Sequence, residues 1–298
     1  MNDIREIIDK YQFVIKKYKK KGNVHILDTD NGSFCLKEKH DNKVYETIKY
    51  LKSKHFNNFV DFDSEEDDRF CITKYIDDNN LLREDKAIEL IYLVSMLHNR
   101  TTFYKSISLD EVKCFYEEKI NQLYDIKNYY DNLCYVFDSD VFISPSRYLL
   151  LRNISLIFRA VDYSKKYLDM WYEIMKNKKS KRVVLNHNNL DLSHILISDV
   201  SYLINWEKAY FDTPVVDLCH FFKKEYLNID IKMLFNVYLS KYQFLKEEFC
   251  LLNSFLLIPF IIEFDNYEIE NSKKVYELVC YLKSIKDFVL ENNLGCDK

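Results

Sequence analysis

The chain has 298 residues, 48% of them hydrophobic and 30% charged, which supplies ample material for a buried core and excludes both a mini-protein and a disordered chain. Lys and Arg (43) nearly match Asp and Glu (47), leaving a net charge of −4 with His neutral, so no overall basic field draws the protein to nucleic acid or anionic lipid. Eight scattered cysteines without a CxxC pair, and a charge-alternating start at Met1-Asn2-Asp3-Ile4-Arg5-Glu6, point away from zinc sites, disulfide frameworks and signal peptides and toward a cytoplasmic protein.

The apolar positions Ile4, Ile7, Ile8, Tyr11, Val14, Ile15 and Tyr18 recur at three- and four-residue spacing and predict an amphipathic helix over 4–19. Its close is the run Lys16-Lys17-Tyr18-Lys19-Lys20-Lys21, read as lysines solvating a helix C-terminus and complementing its dipole. Val24-His25-Ile26-Leu27 and Ser33-Phe34-Cys35-Leu36-Lys37, joined by a turn containing Gly32, predict a β-hairpin. A helix over 43–54, a strand over 59–62, an acidic turn over 64–68 and a strand over 70–75 follow. Residues 1–76 thus read as a small α+β region built on an antiparallel sheet.

From residue 77 to 298 helices dominate: 84–99, 109–132, 145–175, and four more after 214. One island of short strands interrupts them at 183–185, 195–197 and 202–205. The most apolar run, 255–262, is broken by Pro259 and is shorter than the ~20 residues of a membrane span. It is expected to be a core helix, and no membrane partner is expected. The three glycines, at 22, 32 and 295, contrast with 24 tyrosines and 21 phenylalanines, a bias that an AT-rich genome would produce and that carries no functional reading.

The strand island holds Leu185-Asn186-His187-Asn188-Asn189-Leu190-Asp191-Leu192-Ser193-His194-Ile195-Leu196, then Leu203-Ile204-Asn205-Trp206-Glu207. This stretch, about 183–207, resembles the catalytic loop of aminoglycoside and choline kinases and of the related kinase-like proteins of bacterial spore coats, in which His-Gly-Asp-Leu-x-x-x-x-Asn-Ile-Leu is followed by Ile-Asp-Phe/Trp-Glu. Aligned without gaps, His187 takes the family's His position, Asn189 that of the base Asp, His194 that of the metal-ligand Asn and Asn205 that of the metal-ligand Asp. Gly22, at the nucleotide-covering loop expected before the first strand, Lys37 as the phosphate-gripping lysine and Glu46 as its ion-pair partner complete the similarity. Leu97-His98 and Pro214-Val215-Val216-Asp217 also have counterparts, with His98, His187 and Asp217 read as bracing residues. The helices over 109–178 resemble the insert of the spore-coat branch.

The resemblance implies an α+β, two-lobed protein-kinase-like fold with a small N-terminal lobe and a larger helical C-terminal lobe. It also implies ATP with Mg²⁺ as the cofactor. Phosphoryl transfer needs a carboxylate to accept the hydroxyl proton and hard oxygen ligands for Mg²⁺. Here Asn189 has no useful basicity, Asn205 offers a neutral carbonyl, and His194 suits softer metals than Mg²⁺. Asp191 and Glu207 are candidates for a displaced base and ligand. His194, Glu207 and His187 could in principle gather a transition metal, but the position is expected to hold none. Three functions stay open on the sequence: a pseudokinase that binds or scaffolds, an active small-molecule phosphotransferase, and a spore-coat component of the mother cell, with a protein or small molecule as partner.

Overall fold

Strand alternation decides which residues meet in the N-terminal part of the chain. The computed structural model describes residues 7–38, 42–62, 69–79, 81–139 and 142–292. β1 (Ile15–Lys21), β2 (Val24–Thr29), β3 (Gly32–Glu38) and β4 (Phe70–Lys74) form a four-stranded antiparallel sheet in that order. Its register places Leu27, Phe34, Leu36, Phe70 and Ile72 on one face, where they are buried and covered by Ile7, Ile8, Tyr11 and Phe13. Val24, Ile26, Cys35, Lys37, Cys71 and Thr73 therefore share the opposite face.

The expected helix over 4–19 is corrected: among the described residues helix covers only 7–10 before the chain turns and enters β1. In a helix Lys16 and Lys20, and Lys17 and Lys21, would repel at i,i+4 spacing. As an edge strand they stand in solvent, Lys17 lies opposite Asp28, and the charge discourages pairing with another chain. The expected strand over 59–62 is also corrected. Phe59 and Phe62 make only isolated bridges, to Leu203 and Thr73, because each reaches a different partner. The acidic turn over 64–68 lies outside the described residues.

Helix α1 (Lys43–Ser53) buries Thr47, Ile48 and Leu51, and α2 (Arg83–Thr101) buries Leu90, Val94, Leu97 and His98. The described residues of 1–101 group with 189–209 into one compact unit, and those of 102–188 with 210–298 into a second. The boundary thus differs from 76/77. Helix α2 packs on β7 (Ile195–Ile197) and β8 (Ser201–Leu203).

The second unit is mainly helical: α3 (Leu109–Asp138), α4 (Pro145–Met175), α5 (Val215–Glu225), α6 (Ile231–Leu239), α7 (Lys246–Leu257) and α8 (Glu268–Asn292). Helix α4 packs against α3, α7 and α8. Aromatic residues late in the chain pack together in this unit: Phe235 meets Phe222, Phe244, Phe249 and Phe288 edge to face, the arrangement ring quadrupoles prefer. Fully buried Tyr130 donates to the Phe260 carbonyl at 2.6 Å, so the hydroxyl is satisfied. A three-stranded sheet of β5 (Phe103–Ser106), β6 (Ser180–Asn186) and β9 (Tyr210–Asp212) completes the unit. The expected core helix over 255–262 stops at Leu257 instead. Pro259 disfavours helical backbone at the preceding residue, and Ile258 is extended at φ −67°, ψ 114°. Among the described residues no helix is long and apolar enough to cross a membrane.

Candidate functional site

The loop resembling a catalytic segment leaves β6 at Asn186 and His187, both fully buried. Asp217, fully buried in the first turn of α5, accepts the backbone N–H of His187 at 2.8 Å and of Asn188 at 2.6 Å, one on each carboxylate oxygen. Two orphan donors at the strand end are thereby satisfied. Asn188 has φ +55°, in the left-handed region that glycine favours and asparagine tolerates. The family pattern has Gly at this position, and the backbone shows why Asn can replace it.

Within the first unit, Asn189 opens a segment that folds back on itself. His194 Nδ1 donates to the Asn189 carbonyl at 2.7 Å, and the Asp191 carboxylate accepts from Ser193 N at 2.6 Å, capping a 3₁₀ turn over Leu192–His194. Both side chains predicted to do chemistry thus take part in the loop's own hydrogen bonding. Further along, β8 leads to Asn205, at φ +67°. The segment is anchored from below: Trp206 donates to the Leu203 carbonyl at 3.0 Å and meets Phe56 edge to face, while Asn58 donates to Ser201 O at 2.9 Å.

Lys37 brings the sheet to this segment. Its ammonium lies 3.4 Å from Asn205 Oδ1 and forms an ion pair with Glu207. The expected partner, Glu46, stands exposed in the first turn of α1, so the ion pair of Lys37 belongs to Glu207. Gly22 does not precede the first strand. With φ +58° it forms, with Asn23, the two-residue turn between β1 and β2, where positive φ at the first position favours glycine. Sequence reasoning missed the Lys37–Glu207 pair because 170 residues separate its members.

These residues line a cleft of about 740 Å³ contained within the first unit. Val24, Ile26, Cys35 and Ile48 supply apolar wall, and Lys37, Asn205 and Glu207 add polar groups to the lining. Burial pushes the Cys35 thiol up, so it faces the cleft as a neutral group. The segment after β4 borders the cleft and is fixed to β7: Asp78 accepts from Ile197 N at 3.0 Å and from Lys86 Nζ at 2.6 Å, and Asn79 N donates to Ile197 O at 2.6 Å. A smaller cavity of about 240 Å³ lies in the second unit beside Phe115, Trp171 and Phe255. Three of its charged residues are engaged in ion pairs, Arg182 with Glu248 and Glu247 with Lys178.

The donors that the resemblance aligns with a kinase's metal ligands do not fit Mg²⁺. Asn205 gives one neutral oxygen already facing Lys37, Glu207 is paired with the same lysine, and His194 is an imidazole whose Nδ1 is engaged. Among the described residues no group of three or more His, Cys, Asp or Glu could hold a metal ion.

Sheet, helical part and cleft together define a protein-kinase-like fold. It is the fold of the aminoglycoside phosphotransferases: the enzyme from Alicyclobacillus acidocaldarius superposes with a TM-score of 0.70 at 12% identity, over 95% of this chain and 93% of that one. Spectinomycin phosphotransferase, in complex with ADP and spectinomycin, superposes at 0.52 with 13% identity over 99% of this chain and 98% of that one. Its AMP-bound complex superposes at 0.53 with 13% identity over 96% and 98%. No family model matches the sequence, and no curated protein does.

Proposed function

We propose that this protein is a nucleotide-binding pseudokinase, with a cleft that accepts a nucleotide and a loop that does not transfer phosphate. One observation carries the reading: the cleft brings Lys37 to Asn205, and the resemblance aligns Asn189 and Asn205 with positions where a kinase needs carboxylates. Loss of a general base alone costs about 10² to 10⁴ in rate. The volume of about 740 Å³ suits a small molecule or cofactor. Spectinomycin phosphotransferase, of the same fold, has been crystallised with ADP and with AMP, which supports a nucleotide as the occupant.

The test is thermal unfolding with and without ATP or GTP, each in Mg²⁺, Mn²⁺ or EDTA, since ligand at a hundred times its Kd stabilises by about 2.7 kcal/mol. A shift that survives EDTA is expected. A shift that requires metal supports the second reading, an active phosphotransferase using Asp191 or Glu207; Glu207 lies in the cleft and gives that reading its one foothold. No shift with any nucleotide leaves a scaffold and refutes the proposal. A role at the spore coat rests on the long helices α3 and α4 and the altered loop. Finding the protein in an organism without sporulation would remove it.

A further inference from the structure

The lysine run 16–21 becomes informative once it is a strand. Alternation sends Lys19 and Lys21 to the cleft face of the sheet, where Lys21 lies opposite Val24 and Val24 opposite Lys37, while Lys19 lies opposite Ile26 and Ile26 opposite Cys35. Both lysines line the same cleft as Lys37. Strands two apart are separated by about 10 Å, so Lys21 and Lys37 flank the width of one strand and face a common space. Among the described residues no carboxylate lies within ion-pair distance of Lys19 or Lys21, whereas Lys37 is held by Glu207. In a chain of net charge −4, positive charge gathered on one wall of a cleft is a local feature.

The geometry points to Lys19 and Lys21 on β1, together with Lys37 on β3, as the counter-charge that holds the phosphates of a nucleotide in this cleft without a divalent metal. This rests on the nucleotide reading above. A polyphosphate brought into a partly enclosed site needs its charge neutralised, and the donors at Asn205, Glu207 and His194 are ill suited to do it through Mg²⁺. The two-residue turn at Gly22-Asn23 ties β1 tightly to β2, so Lys21 is held on a strand and not carried on a long loop. Ammonium groups at this position attract phosphate as point charges. They contribute nothing to a nucleoside that lacks phosphate.

The experiment is isothermal titration of the full chain with ATP, ADP and adenosine, in EDTA and in Mg²⁺, on the wild type and on the Lys19→Gln/Lys21→Gln variant. ATP is expected to bind the wild type in EDTA, more tightly than ADP and ADP more tightly than adenosine. The variant is expected to lose about tenfold or more in ATP affinity, equivalent to ~1.4 kcal/mol, to keep its adenosine affinity, and to show a flatter dependence of ATP affinity on salt. Retained adenosine binding also shows that the variant is folded. ATP binding that requires Mg²⁺ overturns the inference, as does equal ATP affinity in wild type and variant; in both cases nucleotide binding itself stands. If neither ATP nor adenosine binds the wild type, the nucleotide reading falls and the inference with it.

Discussion

Asp217 shows how a single buried carboxylate shapes the loop that precedes the site. Each of its oxygens accepts one backbone N–H, from His187 and from Asn188, and an unsatisfied buried donor costs about 1–3 kcal/mol. Asp217→Ala is therefore expected to lower stability by about 3 kcal/mol and Asp217→Asn by less, since the amide keeps one acceptor oxygen. Urea unfolding checks this, and a midpoint unchanged in Asp217→Ala would refute the bracing role. Asn188 is the companion case. Its positive φ predicts that Asn188→Ala costs about 1 kcal/mol, whereas Asn188→Gly is close to neutral; equal losses in both would mean that the side chain and not the backbone matters. The reading of positions 189, 194 and 205 as altered rests on the resemblance of the loop to the kinase pattern. The engagement of His194 and Asp191 within their own turn was not legible, because local side-chain to backbone bonds depend on dihedrals that a sequence pattern does not specify.

At the scale of elements, periodicity succeeded where segments were long and failed where two periods competed. The bounds of α4 were legible because Pro145 starts the helix and the apolar positions repeat over 31 residues. The stretch over 4–19 carried apolar residues at helical spacing, yet its second half is β1, since a lysine run is tolerated on an exposed edge strand and self-repelling in a helix. Strands β5 and β9, of four and three residues, are too short to leave a readable pattern. Helix α3 begins in a capping box formed by Ser108 and Glu111: Ser108 Oγ accepts from Glu111 N at 3.1 Å and Glu111 Oε2 from Ser108 N at 2.7 Å. Those bonds hold the Glu111 carboxyl below its ordinary value. A depressed carboxylate stabilises the fold above its unfolded pKa, about 4.5, and that contribution fades as pH falls through the folded value. Glu111→Gln should thus lower Tm at neutral pH, with the gap to wild type closing on acidification below about pH 4.5. A gap that is constant with pH would show that the carboxylate charge plays no part.

For the whole molecule, hydrophobic period and turn residues made the order of elements and the α+β class legible, because they change along the chain where the architecture changes; the kinase-like class came from the resemblance of the 183–207 loop. The grouping of 189–209 with the N-terminal sheet was hidden, since it depends on contacts such as Leu203 N with Asn58 O and Asn79 N with Ile197 O, between segments more than a hundred residues apart. That grouping has a consequence for ligand binding. Every residue lining the larger cleft belongs to the first unit, whereas the second unit is held by its own helices and aromatic cluster around Phe235. Local stability differs between cooperative segments, and a ligand protects the segments whose opening would break its site. Hydrogen exchange with saturating ATP should therefore slow in β1, β2, β3, β4 and residues 193–207, with α4, α7 and α8 unchanged. If protection instead centred on α4 and α7, the nucleotide would be seated in the smaller cavity beside Trp171 and Phe255, and the assignment of the larger cleft as the nucleotide site would be wrong.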